Sequence, residues 1–217
     1  MNPYVIIVIV IVVLSFGFSI FTSFKRNQYF NQLTEYLMKG KFDEFDKMLE
    51  NPWVKRTIPP FNIEYMQLNR YLMEGRKGKA IEIYDQFKTR RLNDEQRKQV
   101  AVGGFDFFVA EGDKERAAYY KDEINKLPAS KENNTIKEEV NVLYDVVMDK
   151  NTDRLQELLD KNESMDEHLR GVNEYLISTI YTNLGNKEKA KEYENLSRKH
   201  MVMLNDHMSK KMQEGQK

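Results

Sequence analysis

The sequence predicts an all-α protein: a transmembrane helix, then an α-solenoid of about five helix-turn-helix hairpins, closed by a C-terminal capping helix. Three observations predict it. The first 24 residues (MNPYVIIVIVIVVLSFGFSIFTSF) carry no charge, and Lys25-Arg26 ends the run abruptly. One pattern of apolar residue, turn residue and charged helix then recurs five times. Alternating apolar and polar runs bounded by turns, which would mark strands, are absent. The resulting organisation is 1–24 transmembrane anchor, 25–200 helical repeat domain and 201–217 capping helix with a polar tail.

A helix needs roughly 20 apolar residues to cross about 30 Å of bilayer hydrocarbon, and Tyr4 to Phe24 meets that length. A cleaved signal peptide would open on Lys or Arg and end in a small-x-small site. This run opens on Met-Asn-Pro and continues through Phe18-Ser19-Ile20-Phe21, so it reads as a permanent single-pass anchor in the cell membrane. Lys25, Arg26, Lys39 and Lys41 follow the run, whereas only the α-amino group precedes it. Basic flanks stay on the cytoplasmic side, which places the N-terminus outside and the C-terminal domain in the cytoplasm. The chain contains no Cys, which fits a reducing compartment and excludes a disulfide framework.

The body pairs 34 basic with 34 acidic residues, a balance that opposes nucleic-acid binding, which favours a basic stripe. Few Gly and Pro and many Lys and Glu point instead to ordered helices. The five repeated segments are YLMKGKFDEFDKML, YLMEGRKGKAIEIY, FVAEGDKERAAYYK, VVMDKNTDRLQELL and YTNLGNKEKAKEYE. Aligned, they place their turns at Gly40, Gly75, Gly112, Lys150 and Gly185, spaced 35, 37, 38 and 35 residues apart. Gly just past a helix end accepts the left-handed conformation that a Cβ resists. One helical turn earlier stand Tyr36, Tyr71, Phe108, Val146 and Tyr181, facing the partner helix. Five residues after the turn stand Phe45, Ala80, Ala117, Leu155 and Ala190; three of the five are Ala, where two helices would cross closely. Asp113 and Asn186 are positioned to cap the second helices.

Elsewhere, Pro52, Pro59 and Pro60 make NPWVKRTIPPF a loop, with Trp53 against the first hairpin or lipid headgroups. Gly103-Gly104 falls inside a helix and suits close packing or a small kink. At the C-terminal end, Met201, Leu204, Met208 and Met212 form one helical stripe, which suits a cap over the last repeat.

These residues resemble the tetratricopeptide repeat family over roughly Asn27 to His200. The shared features are the Tyr before the turn, the turn Gly, the small residue in the second helix and the apolar residue four further on (Leu49, Tyr84, Leu159). The family's Trp near the start of each unit is missing, and Lys121 and Glu194 depart from the second-helix pattern. The resemblance implies a concave partner-binding face lined by first helices. Carried over, that face comprises Tyr65, Asn69, Gln99, Asp106, Tyr144, Tyr175 and Thr179, together with Asn62, Val102, Lys137, Val140 and Asn183. Such a mix could hold an extended peptide or a helix. Asn69 matches one position of the carboxylate clamp found in some members, but Val102 and Asp106 replace the next groups, which argues against docking of chaperone tails.

No constellation for catalysis is present. Without Cys there is no thiol nucleophile or Cys-ligated zinc. His200 and His207 lie seven apart, with no acid or His three or four residues after either, and read as incidental residues on a solvated helix face. No metal site and no cofactor is expected. The expected function is a membrane-anchored adaptor or scaffold, not an enzyme, binding a protein or peptide partner at the cytoplasmic face. Two alternatives stay open: an outward-facing chaperone for translocated proteins, which the flanking charge opposes, and a regulatory subunit of a membrane enzyme. The Lys- and Asn-rich composition suits a bacterial source.

Overall fold

A computed structural model describes residues 23–214. The expected anchor lies outside the described residues except for Ser23 and Phe24, and no helix among the described residues is long and apolar enough to cross a membrane. The protein is all-α: α-helices and one 3-10 turn account for its regular structure, with no strand among the described residues. The chain divides into two compact units between Arg91 and Leu92.

The first unit contains α1 (residues 23–38), α2 (Phe42–Leu49), α3 (Pro52–Thr57), α4 (Pro60–Met73) and α5 (Lys77–Lys88). Leu33 and Leu37 of α1 meet Phe45 and Leu49 of α2; each pair is four residues apart and therefore on one helical face. Val54, Ile58 and Met66 complete this core. Across α4 and α5, Phe61 and Phe87 pack with ring centroids 5.4 Å apart.

The expected loop at 51–61 is corrected. Residues 52–57 form the helix α3, and Trp53 is exposed at its start. Proline is excluded from helix interiors but suits the first turn, where its missing N–H would have no partner. Pro52 and Pro60 occupy such starts, and Asn51 Oδ1 caps α3 by accepting from the Trp53 amide at 2.9 Å.

The second unit contains α6 (Asp94–Ala110), α7 (Lys114–Asn125), α8 (Lys131–Val147), α9 (Leu155–Ser164), a 3-10 turn (Glu167–Leu169), α10 (Gly171–Asn183) and α11 (Lys187–Glu214). Gly104 allows α6 and α7 to approach, because a Cβ there would lie 2.9 Å from the Tyr120 ring. Leu176, Ile177 and Ile180 of α10 are buried against Val142, Val146 and Leu158, and each such side chain contributes about 1.5–3 kcal/mol. Contacts between residues 34 to 37 positions apart tie successive helices together. Lys98 pairs with Glu132, Lys114 with Asp149, and Asn183 Nδ2 donates to the Val146 carbonyl at 3.2 Å. α11 runs unbroken from Lys187 to Glu214, so no break in the helix marks residue 200.

All five aligned turn residues take left-handed backbone, with φ of 63° at Gly40, 70° at Gly75, 72° at Gly112, 56° at Lys150 and 75° at Gly185. Each glycine closes the same pair of bonds. At the last, the Gly185 amide donates to the Thr182 carbonyl at 3.0 Å and the Asn186 amide to the Tyr181 carbonyl at 2.9 Å. Asp113 and Asn186 then cap the helices that follow, accepting from the amides of Arg116 and Lys189. The Lys150 turn is one residue wider: the Asn151 amide reaches back to Asp145, and α9 begins only at Leu155.

Backbone chirality makes left-handed φ costly for Lys by about 1–2 kcal/mol. Lys150→Gly should therefore raise stability by about 1 kcal/mol, and Gly185→Ala should lower it by a similar amount. A Cβ at Gly185 would touch nothing within 4 Å, so conformation alone is tested there. Urea midpoints read both; a Lys150→Gly midpoint at or below wild type would contradict the argument.

Candidate functional site

Two features of the second unit stand out, one buried and polar, the other open and apolar. The first is centred on α10. Within Gly171–Gly185 the one charged residue is Glu174, and it is only 1% exposed. Its Oε2 lies 2.7 Å from His200 Nδ1, and its Oε1 accepts from Asn162 Nδ2 at 3.4 Å. His200 Nε2 lies 3.2 Å from Glu167 Oε1, which also meets Lys199 Nζ at 3.2 Å. Those partners, Lys199 first, hold the Glu167 carboxyl below its ordinary range. Asn173 Nδ2 donates to the Leu158 carbonyl and to Asn162 Oδ1. The network ties α9, the 3-10 turn, α10 and α11 together. It corrects the expectation for His200, which is 4% exposed rather than on a solvated face. His207 is exposed, its ring 4.8 Å from that of His168.

The second feature is a cleft of about 570 Å³. Its floor comes from apolar faces of α6, α8 and α10, including Val102, Phe105, Val140, Leu143 and Leu176, with Leu158 of α9 and Leu204 of α11. Its lip carries Leu169 and Val172, exposed by 46% and 56%. Around this surface stand Asp106, Glu138, Glu139 and Glu157, against the single cation Lys161. Glu157 pairs with Arg154 at 3.1 Å, whereas the other three acids form no ion pair among the described residues. Asp106 is open to solvent, yet the surrounding wall desolvates it and pushes its carboxyl above the ordinary aspartate value.

The residues carried over from the repeat resemblance separate accordingly. Asp106, Val102 and Val140 line the cleft. Gln99 is exposed on α6, outside the lining. Tyr175 is 43% exposed one turn beyond Val172, and Thr179 donates its hydroxyl to the Tyr175 carbonyl at 2.9 Å. Tyr144 is buried, at 5% exposure, with Lys121 Nζ 4.0 Å from its ring centroid. That contact accounts for a lysine where the repeat pattern wants an apolar side chain. Tyr65 and Asn69 belong to the first unit, both half-buried, with Tyr65 stacked on Phe61 at 5.8 Å.

Val172, Glu174 and Leu169 escaped the sequence reading of the site. Val172 stands 13 residues before the Gly185 turn, in the register of Asn62, Gln99 and Lys137, so the repeat spacing could have supplied it. Glu174 was signalled by its isolation in an apolar stretch, but nothing local pairs it with a histidine 26 residues away. Leu169 carried no signal of its own, and Leu204 was legible only as part of the C-terminal stripe expected to cap the last repeat, not as lining of a cleft.

Among the described residues no three His, Asp or Glu side chains converge to hold a metal ion. What the cleft offers is desolvation of apolar surface beside unneutralised negative charge. No family model matches this chain, and neither a curated protein nor a solved structure does.

Proposed function

We propose that this protein is a single-pass membrane-anchored adaptor of the tetratricopeptide-like kind, whose cytoplasmic helical repeats bind a protein partner. The observation that carries the reading is the open apolar cleft on the first helices α6, α8 and α10, where such repeats present a binding surface. Left-handed residues at all five aligned turns, and contacts one repeat apart, support the repeat assignment. The uncharged run before Lys25-Arg26 supports the anchor and its orientation.

Protease access in intact and permeabilised cells, with a tag at the C-terminus, tests this reading. The tag should survive until the membrane is opened, and deleting residues 2–24 should move the protein from the membrane to the soluble fraction. Digestion from the outside face would instead favour a chaperone for translocated proteins.

A further inference from the structure

We infer that the cleft of the second unit receives an amphipathic helix of a protein partner, one whose apolar face is flanked by lysine or arginine. The inference rests on the adaptor reading and names the chemistry of the partner.

The lining decides between a helix and an extended peptide. Twelve of its eighteen residues are apolar, so the occupant must bring an apolar face. An extended backbone would also need hydrogen-bonding partners for its amides and carbonyls, since buried backbone groups are costly when unpaired. The one amide side chain in the lining, Asn173, already spends its Nδ2 on Leu158 and Asn162. The carboxylates can only accept, and Lys161 is the one charged donor. A helix satisfies its own backbone and asks only for burial of a side-chain stripe.

The exposed lip argues for a macromolecule. Leu169, Val172 and Tyr175 recur every three residues and continue the apolar surface outward from the cleft. A ligand confined to the cleft would leave Tyr175 and much of this row in water. Charge sets the polarity of the partner. Asp106, Glu138 and Glu139 oppose acidic peptides and anionic headgroups and favour cations at the rim, where complementary charge steers encounter and specificity. A cationic neighbour would also relieve the desolvated Asp106 carboxylate.

The test uses the full chain in zwitterionic nanodiscs, with empty discs subtracted. The probes are two labelled 18-residue peptides with the same leucine stripe, one flanked by lysine and the other by glutamate. Fluorescence anisotropy should show the lysine peptide binding at least tenfold tighter than the glutamate peptide, with affinity falling as salt rises. A central proline in the lysine peptide should cost at least tenfold, because it breaks the helix. Val172→Asp should weaken the lysine peptide at least tenfold, and Glu138→Lys with Glu139→Lys should reverse the preference between peptides. These three positions are exposed, and an unchanged thermal midpoint confirms that the variants fold.

Equal affinity for both peptides, indifference to the central proline, or variants without effect would overturn the inference. So would self-association of the chain that Val172→Asp abolishes, which would make a second copy the occupant. Photocrosslinking in cells separates this failure from failure of the adaptor reading. Adducts at Gln99 without any at Val172 would leave an adaptor with a different surface; none at either position would remove the adaptor as well.

Discussion

Glu174→Ala should destabilise the second unit by about 3–5 kcal/mol, a large share of the roughly 5–15 kcal/mol that holds an ordinary domain folded. The carboxylate is buried and holds His200 Nδ1 at 2.7 Å and Asn162 at 3.4 Å. Truncation leaves the buried His200 Nδ1 without that partner in an interior where water cannot replace it, and opens a void among α9, α10 and α11. Glu174→Gln, which keeps the shape and one acceptor, should cost less. His200→Ala should cost a similar amount for the opposite reason, by stranding the Glu174 charge. The double variant should then fall well short of the sum of the two, since each single change already breaks the same contact. Urea unfolding of the four chains measures all of this, and strict additivity would show that the pair is not coupled.

Arg70→Ala should lower the stability of the first unit by about 3 kcal/mol. The Arg70 side chain is 6% exposed, pairs with Asp46 at 2.9 Å and Glu74 at 2.8 Å, and lies over the rings of Phe42 and Tyr71. It thus joins α2 to α4. Both acids have an escape, because Asp46 is half exposed and Glu74 also meets Arg76 at 3.2 Å. Most of the loss should therefore come from packing over the rings and from the void. Arg70 Nε is buried without a hydrogen-bond partner, so Arg70→Met, which fills the space and removes that donor, should recover most of the loss. Thermal unfolding distinguishes these outcomes: equal destabilisation by Ala and Met would assign the energy to the ion pairs instead.

Legibility differed between the fold and the site. The turns at Gly40, Gly75, Gly112 and Gly185 could be read because a left-handed residue is a local requirement that one residue type meets without strain. Lys150 could be placed only by its spacing, and the wider turn there shows what departing from glycine entails. The prolines misled because their effect depends on position: in a helix interior Pro52 would be disruptive, while after Asn51 it starts α3. Tyr144 and Tyr175 occupy the same kind of surface in the repeat pattern, yet one is covered by Lys121 and the other is open.

The amino-acid sequence alone determined the all-α class, the five turns, the caps at Asp113 and Asn186, and the small residues buried where hairpin helices cross. Each depends on a few neighbouring residues, whose backbone preferences and helical spacing act within one or two turns. Only the tertiary structure decided that Glu174 meets His200, that Tyr144 is covered, and that α6, α8, α9, α10 and α11 enclose an apolar cleft with unpaired acids at its rim. Those outcomes follow from how helices separated by tens of residues settle against one another, a balance of burial and desolvation summed over the whole unit.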